Sequence, residues 1–318
     1  MKIVVLDGRT LNSDPKAWAG LNRFGEVVYH DISEPGEVLS RSQGADVLVV
    51  NKCPIRAAAI EKLPALRFIA VTATGFDCVD VDAARSRGVP VSNVPEYGTD
   101  SVAQTTFALL LELCQHVGLH AEAVRAGEWT RQADFSMRKT PLIELANKSM
   151  GIVGYGRIGR RVAEIARAFG MKTIAHRPSG KAGSIDGSLP TCGLDELFER
   201  ADVVSLHCPL TPETRGMVNR ERLRRAKPTA FLVNTARGAL VVEQDLADAL
   251  NAGEIAGAAV DVVAQEPITA DNPLLTAKNC LITPHNAWAT AEARARLLEA
   301  TIANIAAFAA GAPTHVVN

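Results

Sequence analysis

The sequence predicts an α/β protein built as two doubly wound parallel-sheet domains. Three observations carry this. Short apolar runs alternate with helical patterns along most of the chain, as parallel strands joined by helices do. The apolar run Met150 to Val153 is followed at once by Gly154, Gly156 and Gly159, and then by a helical pattern at Ile158, Val162, Ile165, Ala166 and Phe169. Polar residues collect where the apolar runs stop, at the carboxyl ends of strands, and ligands bind there in such sheets.

Taken in order, Ile3 to Leu6 is a strand ending in Asp7, Trp18 to Phe24 is one face of a short helix, and Val27 to Tyr29 is a second strand. Ala45 to Val50 is an apolar strand ending at Asn51 and Lys52. Ala57 to Leu63 is helical, and Arg67 to Thr72 is a strand that ends in the turn Ala73-Thr74-Gly75-Phe76-Asp77. Val81 to Arg87 is helical, and Gly88 opens the strand Val89 to Val94. Their strand-end positions make Asn51, Lys52, Thr74, Gly75 and Phe76 candidate substrate residues. The competing reading gives Gly75 to a turn and Lys52 to solvent. Asp100 to Leu119 places Val102, Thr106, Leu109, Leu110 and Leu113 at helical spacing and is apolar for a surface helix, which suits a helix buried between domains or at a subunit contact. Gly127 to Pro141 reads as an extended arm, whose Trp129, Phe135 and Met137 among charges suggest a protein–protein contact.

Strand, G-x-G-x-x-G and helix occur in the order a dinucleotide fingerprint needs. The first glycine makes the tight turn, the second lets backbone approach a pyrophosphate, and the third lets helix and strand approach closely. The helix start then offers N–H groups and a positive dipole end to phosphates. A second strand, Lys172 to Ala175, runs into His176-Arg177-Pro178 and a Gly/Ser-rich loop. Leu194 to Arg200 is a short helix, Asp202 to His207 a strand ending in Cys208-Pro209, and Arg220 to Ala226 a helix. Ala230 to Val233 is a strand ending in Asn234-Thr235-Ala236-Arg237-Gly238, and Glu243 to Ala252 is a helix closed by Gly253. Gly257 to Val262 is a strand carrying Asp261, with Glu266-Pro267 after it. Leu281 to Thr283 ends in Pro284-His285-Asn286-Ala287-Trp288. Ala291 to Ala310 is a long alanine-rich helix, and Thr314 to Val317 a final short strand.

At 318 residues there is room for two domains, and 47 % hydrophobic with 22 % charged residues is ordinary for a globular protein. A net charge of −1 offers no field for nucleic acid or an anionic membrane. No apolar run approaches the roughly 20 residues of a spanning helix. The first residues, MKIVVLDG, read as a buried strand rather than a signal peptide. Cys53, Cys78, Cys114, Cys192, Cys208 and Cys280 are scattered without a C-x-x-C, so reduced thiols in a cytoplasmic protein are expected, with neither a disulfide framework nor a metal site.

Three strand-end residues can do chemistry beside a nicotinamide. Arg237 can grip a carboxylate through two parallel charge-assisted bonds. His285 exchanges a proton near neutrality. Glu266, if it contacts that imidazole, favours the imidazolium and holds the ring. Each has a plainer reading, as a surface ion pair, a structural histidine or turn chemistry, and it is their joint occurrence beside a fingerprint that points to function. His207 ends a strand of the cofactor unit and is a candidate cofactor contact, whereas His30, His116, His120 and His315 read as structural.

The chain resembles the D-isomer-specific 2-hydroxyacid dehydrogenases over essentially its whole length. The matching motifs are VTATGFDCVD, GIVGYGRIGRR, VSLHCPLTPET, FLVNTARGALV, AAVDVVAQEP and LITPHNAW. VPEYGTDSVAQ and TPHNAWAT look most like the glycerate dehydrogenase/hydroxypyruvate (glyoxylate) reductase branch. The resemblance implies Arg237 as substrate anchor, His285 as acid/base and Glu266 as its partner. It implies carboxylate binding by backbone N–H groups near Thr74, Gly75 and Phe76, with Trp288 also at the substrate. Arg157 and Ile158 would lie on the pyrophosphate and Asp261 on the nicotinamide carboxamide. Val102, His176, Pro178, Cys208, Pro209, Thr214, Thr235, Ala236 and Ala287 complete the implied cofactor set. Residues 1–97 with 289–318 would form a flavodoxin-like substrate domain and 98–288 a Rossmann cofactor domain, the two around a cleft. The implied reaction is hydride transfer between a nicotinamide and a small 2-oxo/D-2-hydroxy acid, with hydroxypyruvate/D-glycerate and glyoxylate/glycolate leading, by a homodimer. A non-enzymatic nucleotide sensor or scaffold and a 3-phosphoglycerate dehydrogenase are the rivals. The chain departs from the family in two places. The arm Phe135 to Pro141 has fewer aromatic residues than relatives in this branch often carry. The strand that usually ends in an acid for the ribose hydroxyls ends here in His176-Arg177. Arg177 therefore predicts NADP(H) in preference to NAD(H).

Overall fold

Val47, Leu48, Val49 and Val50 are all buried, the pattern of a parallel strand covered on both faces. This is β3 in the order of the chain, and it lies between β1 (Lys2–Val5) and β4 (Phe68–Val71). With β2 (Glu26–Tyr29) and β5 (Val91–Ser92) they form a parallel sheet of order β2-β1-β3-β4-β5, the flavodoxin-like order. The connecting helices are α1 (Val38–Arg41), α2 (Ala57–Glu61) and α3 (Val81–Ser86). Asp80 caps α3 by accepting from the Ala83 N–H at 3.0 Å. The computed structural model describes residues 1–176, 178, 183–185 and 189–318. They divide into two units, Met1–Gly98 with Ala289–Asn318, and Thr99–Trp288.

The second unit opens with α4 (Thr99–Gln115) and α5 (Val117–Arg125). Then follow β6 (Ser149–Val153), α6 (Arg157–Ala168), β7 (Lys172–His176), β8 (Gly183–Ile185), β9 (Leu189–Cys192) and α7 (Leu194–Arg200). It continues with β10 (Val203–Leu206), α8 (Arg220–Arg225), β11 (Phe231–Asn234), α9 (Glu243–Ala252), β12 (Gly257–Val260) and β13 (Cys280–Ile282). The sheet order is β13-β12-β11-β10-β6-β7-β9-β8. Alternation along each strand divides its side chains between two cores. Val204, Leu232 and Val260 meet Leu197, Leu223, Leu246 and Leu250 of α7, α8 and α9. Val203, Phe231, Val233 and Ala259 meet Phe107, Leu110 and Val162 of α4 and α6. The chain then returns to the first unit as α10 (Ala291–Ala309), capped by Thr290, where Phe308 stacks on Phe68 of β4 at 4.5 Å.

Four local expectations need correction. The helix expected over residues 100–119 is two, because His116 adopts a left-handed backbone (φ 46°) and the Glu112 side chain caps α5 by accepting from the Gly118 N–H at 3.2 Å. Apolar spacing runs across that break and conceals it. The short helix expected over Trp18 to Phe24 begins earlier, at Pro15, and is of 3-10 type. The Gly/Ser-rich loop contains β8, which has no apolar periodicity of its own and is extended because it pairs antiparallel with β9, so this sheet is not wholly parallel. The last expected strand amounts to one antiparallel bridge, Ser92 with Val316. The arm over residues 127–141 holds one short 3-10 turn, Trp129–Arg131.

Candidate functional site

The strands β9-β7-β6-β10-β11-β12 follow the dinucleotide-fold order, whose crevice lies between β6 and β10. The fingerprint glycines stand at the end of β6. Gly154 has φ 99°, and a Cβ there would come within 2.4 Å of the Cys208 nitrogen. A Cβ on Gly159 would sit 2.1 Å from the Gly154 carbonyl oxygen. These two are demanded by the loop itself. Gly156 differs: it precedes α6, and an added Cβ would meet nothing within 4 Å. The twelve-residue α6 thus begins behind an open backbone cradle, with the first-turn N–H groups of Arg157, Ile158 and Gly159 at its positive end. A pyrophosphate fits that donor set.

Across the crevice, the His207 N–H donates to the Val153 carbonyl at 2.7 Å, and its Nε2 lies 2.8 Å from Ser205 Oγ. His207 keeps some exposed surface, yet its burial pushes the ring pKa down to about 3. Burial pushes the Cys208 thiol up to about 11. Thr214 Oγ1 donates to the Pro209 carbonyl at 2.8 Å and closes the following turn. At the end of β7, burial lowers the pKa of His176. His176 and Pro178 line a depression of about 480 Å³ with Asp195, Glu196 and Arg222, a volume in the range of small-ligand sites. Arg177, on which the expected NADP(H) preference rests, lies outside the described residues.

Arg237, Glu266 and His285 follow β11, β12 and β13, three neighbouring strands. Asn234 shapes the first loop: its Nδ2 donates to the Arg237 carbonyl at 2.9 Å and its Oδ1 accepts from the Ala236 N–H at 3.0 Å. Arg237 is half-buried, and its Nη1 donates to the Ala236 carbonyl at 2.8 Å. A Cβ on Gly238 would fall 1.9 Å from the Val263 carbonyl carbon, so this loop closes directly on the segment leading to Glu266. His285 Nδ1 lies 2.6 Å from Glu266 Oε2, while Glu266 Oε1 accepts from the Val263 N–H at 3.3 Å. Glu266 thus engages the Nδ1 side of the ring.

Asp261, 1 % exposed, organises the loop that carries His285. Its Oδ1 accepts from Thr283 Oγ1 at 2.6 Å and from the Asn286 N–H at 3.0 Å, and its Oδ2 accepts from the Ala287 N–H at 2.9 Å. A carboxamide contact would use the remaining position on Oδ2. Helix α4 supplies Val102, nearly buried, together with hydroxyls that sequence reasoning missed. Ser101 Oγ donates to the Ala287 carbonyl at 2.7 Å, and Thr106 Oγ1 lies 3.0 Å from Thr235 Oγ1. Their apolar neighbours disguise them as core positions.

In the first unit, Asn51 and Lys52 follow β3, beside the switch between β1 and β3. Asp7, also missed, receives the N–H groups of Asn51 (2.8 Å), Lys52 (2.6 Å) and Cys53 (2.8 Å). Asn51 is buried and its amide donates to Thr72, while Lys52 is exposed. Thr74, Gly75 and Phe76 follow β4, with Thr74 Oγ1 donating to the Val94 carbonyl at 2.9 Å. Trp288 is the last residue of the second unit. Among the described residues no group of three or more His, Cys, Asp or Glu is arranged to hold a metal ion, and no helix is long and apolar enough to cross a membrane.

Residues 107–287 match the NAD binding domain of the D-isomer specific 2-hydroxyacid dehydrogenases. A hydroxypyruvate reductase of Blautia hydrogenotrophica is 47 % identical, with 100 % of both chains covered. Among solved structures, a Thermus thermophilus protein superposes with a TM-score of 0.90 at 37 % identity over 100 % of both chains. An NADPH-dependent glyoxylate/hydroxypyruvate reductase of Sinorhizobium meliloti, in complex with NADP and malonate, gives 0.86 at 28 % identity, covering 99 % of this chain and 96 % of that one.

The depressed His207 pKa has a consequence for stability. From its ordinary value of 6.5 down to about 3, the unfolded ring holds a proton that the folded ring refuses. The contribution is therefore complete above about pH 6.5 and lost as pH falls toward the folded value, at up to about 1.4 kcal/mol per pH unit. Urea denaturation between about pH 6.5 and 4.5 should show a shallower loss of stability for His207→Gln than for the wild type; equal slopes would contradict the assignment.

Proposed function

We propose a reaction from a plain premise: the chain belongs to the D-isomer specific 2-hydroxyacid dehydrogenase family. It is read here as an oxidoreductase that interconverts a small 2-oxo acid and its D-2-hydroxy acid, with hydroxypyruvate/D-glycerate and glyoxylate/glycolate as the leading pairs. The hydroxypyruvate and glyoxylate/hydroxypyruvate reductases it resembles support that substrate class. The observation that carries the reading is the 2.6 Å contact of His285 with Glu266, on a strand end beside that of Arg237 and in the same unit as the glycine cradle. A nicotinamide, when bound, supplies the hydride for reduction or accepts it in reverse. Arg237 grips the substrate carboxylate with its guanidinium fork. Backbone N–H groups near Thr74, Gly75 and Phe76 assist. His285 gives the proton from Nε2 to the carbonyl oxygen, and Glu266 holds the ring through Nδ1. Six free thiols suit a reducing compartment, and we assign the cytoplasm on that ground.

A panel of 2-oxo acids assayed with NADH and NADPH tests the reading, and a chain that bound cofactor but reduced none of them would be a scaffold instead. His285→Ala is expected to lower turnover by about 10² to 10⁴ while cofactor affinity stays within error. Near-normal reduction by that variant would remove His285 from the chemistry.

The cofactor is assigned as NADPH in preference to NADH, because the strand-end acid that would repel a 2′-phosphate is replaced by Arg177. The Sinorhizobium meliloti relative is itself NADPH-dependent. A charge-assisted bond contributes roughly 1.5 to 3 kcal/mol, so kcat/KM should favour NADPH by about ten- to a hundredfold at low salt. Arg177→Asp should reverse the ratio through lost NADPH affinity, and an unchanged ratio would refute the assignment. The protein is further assigned as a homodimer joined through residues 100–119 and the arm 127–141. Val117 (63 % exposed), Trp129 (48 %) and Phe135 (87 %) are exposed apolar residues of these segments, which a second copy would cover. Light scattering at micromolar concentration should give twice the chain mass, and a monomer mass would exclude it.

A further inference from the structure

We infer that α4 sets the spacing between the loop of Arg237 and the loop of His285, with Ser101 and Thr106 as its positioning residues. The inference rests on the function proposed above. Helix α4 is otherwise a core element, with Val102, Ala103, Phe107, Leu109 and Leu110 buried. Ser101 is 4 % exposed and Thr106 is fully buried. Alanine or valine would fill these places without bringing a polar group that needs a partner.

The hydroxyls go to two loops. Ser101 Oγ donates to the Ala287 carbonyl at 2.7 Å, and Thr105 Oγ1, one turn along the same stripe, reaches the same oxygen at 3.4 Å. Because the Ala287 N–H is held by Asp261, that residue is fixed at both ends, two positions after His285. The neighbouring stripe, Val102 and Thr106, faces the other loop. Thr106 has one hydroxyl hydrogen, and it goes to the Val102 carbonyl at 2.8 Å. In the 3.0 Å contact with Thr235 the donor is therefore Thr235, two positions before Arg237. A single stretch of rigid helix thus grips the carboxylate-anchor loop on one stripe and the proton-donor loop on the next. Ser101 lies just after the first passage of the chain between its two units and Ala287 just before the second, so the 2.7 Å bond also ties those segments together.

The test compares Ser101→Ala, Ser101→Thr and Thr106→Val with the wild type, measuring kcat, KM for the best 2-oxo acid, cofactor Kd by fluorescence, and Tm. Ser101→Ala should lower kcat by about five- to twentyfold, the value of one buried hydrogen bond, with cofactor Kd unchanged. Ser101→Thr, which keeps the hydroxyl, should recover most of that loss. Thr106→Val acts on the anchor side and should raise KM by a similar factor with a smaller effect on kcat. Wild-type kcat in Ser101→Ala, or threonine no better than alanine, would overturn the inference. If Ser101→Ala does not fold, Thr106→Val decides, and an unchanged KM there overturns it. A wild type that reduces no 2-oxo acid would instead overturn the proposed function beneath it.

Discussion

At the end of β12 a carboxylate sits almost wholly out of water, and the loop bearing His285 takes its shape from it. Burying an ionised carboxylate is strongly unfavourable unless donors surround it. Asp261 finds one hydroxyl and two backbone N–H groups, all from residues 283–287. That segment belongs to no helix or strand. Its conformation is the one in which these donors converge on the two oxygens, and the imidazole is placed as a by-product of that convergence. The first unit uses the same device. Asp7, at the end of β1, gathers three consecutive N–H groups from the loop after β3. Burial pushes its pKa up against the three donors that hold it down. In both units, then, a strand-end aspartate orders the loop that follows the adjacent strand.

The rest of the molecule supplies rigidity to these loops more than it supplies charge. Many ion pairs among the described residues join exposed helix residues, such as Arg225 with Glu199 and Glu221, and pairs of that kind contribute little. What fixes the strand ends is the pair of cores on opposite faces of the second sheet, each filled by alternate side chains of the same strands. A shift of one strand by a residue would send its apolar side chains to the wrong layer, so the register that aligns Arg237, Glu266 and His285 is set by packing far from them.

Both sheets were legible in the sequence because buried parallel strands read as continuous apolar runs, and because the glycines after β6 have a spacing with a steric cause. Arg237, Glu266 and His285 were legible as polar residues at the points where such runs stop. The contacts that position them were not. Ser101 and Ala287 are 186 residues apart, and no local pattern announces a hydrogen bond over that distance. Asp7 read only as a strand-end acid, and Asp261 entered through the family resemblance as a carboxamide contact, not as the group that shapes the His285 loop. The break at His116 was invisible because apolar spacing is indifferent to one left-handed residue, and β8 was invisible because its extension comes from its neighbour rather than from its own Gly-Ser-Ile.

His285 itself has a left-handed backbone, with φ 53°. Its N–H donates to the Asp261 and Thr283 carbonyls, which hold the chain in that state. For most side chains the left-handed region is unfavourable by about 1–2 kcal/mol, whereas glycine enters it freely and asparagine, aspartate and histidine more readily than the rest. Histidine is thus one of the few residue types that both suit this backbone and can exchange a proton near neutrality. If His285 transfers the proton as proposed, a descendant of this chain that gave up that step while keeping its loop would drift toward asparagine or glycine there. Sequence divergence at this one site would then carry a record of lost chemistry, written by the main chain.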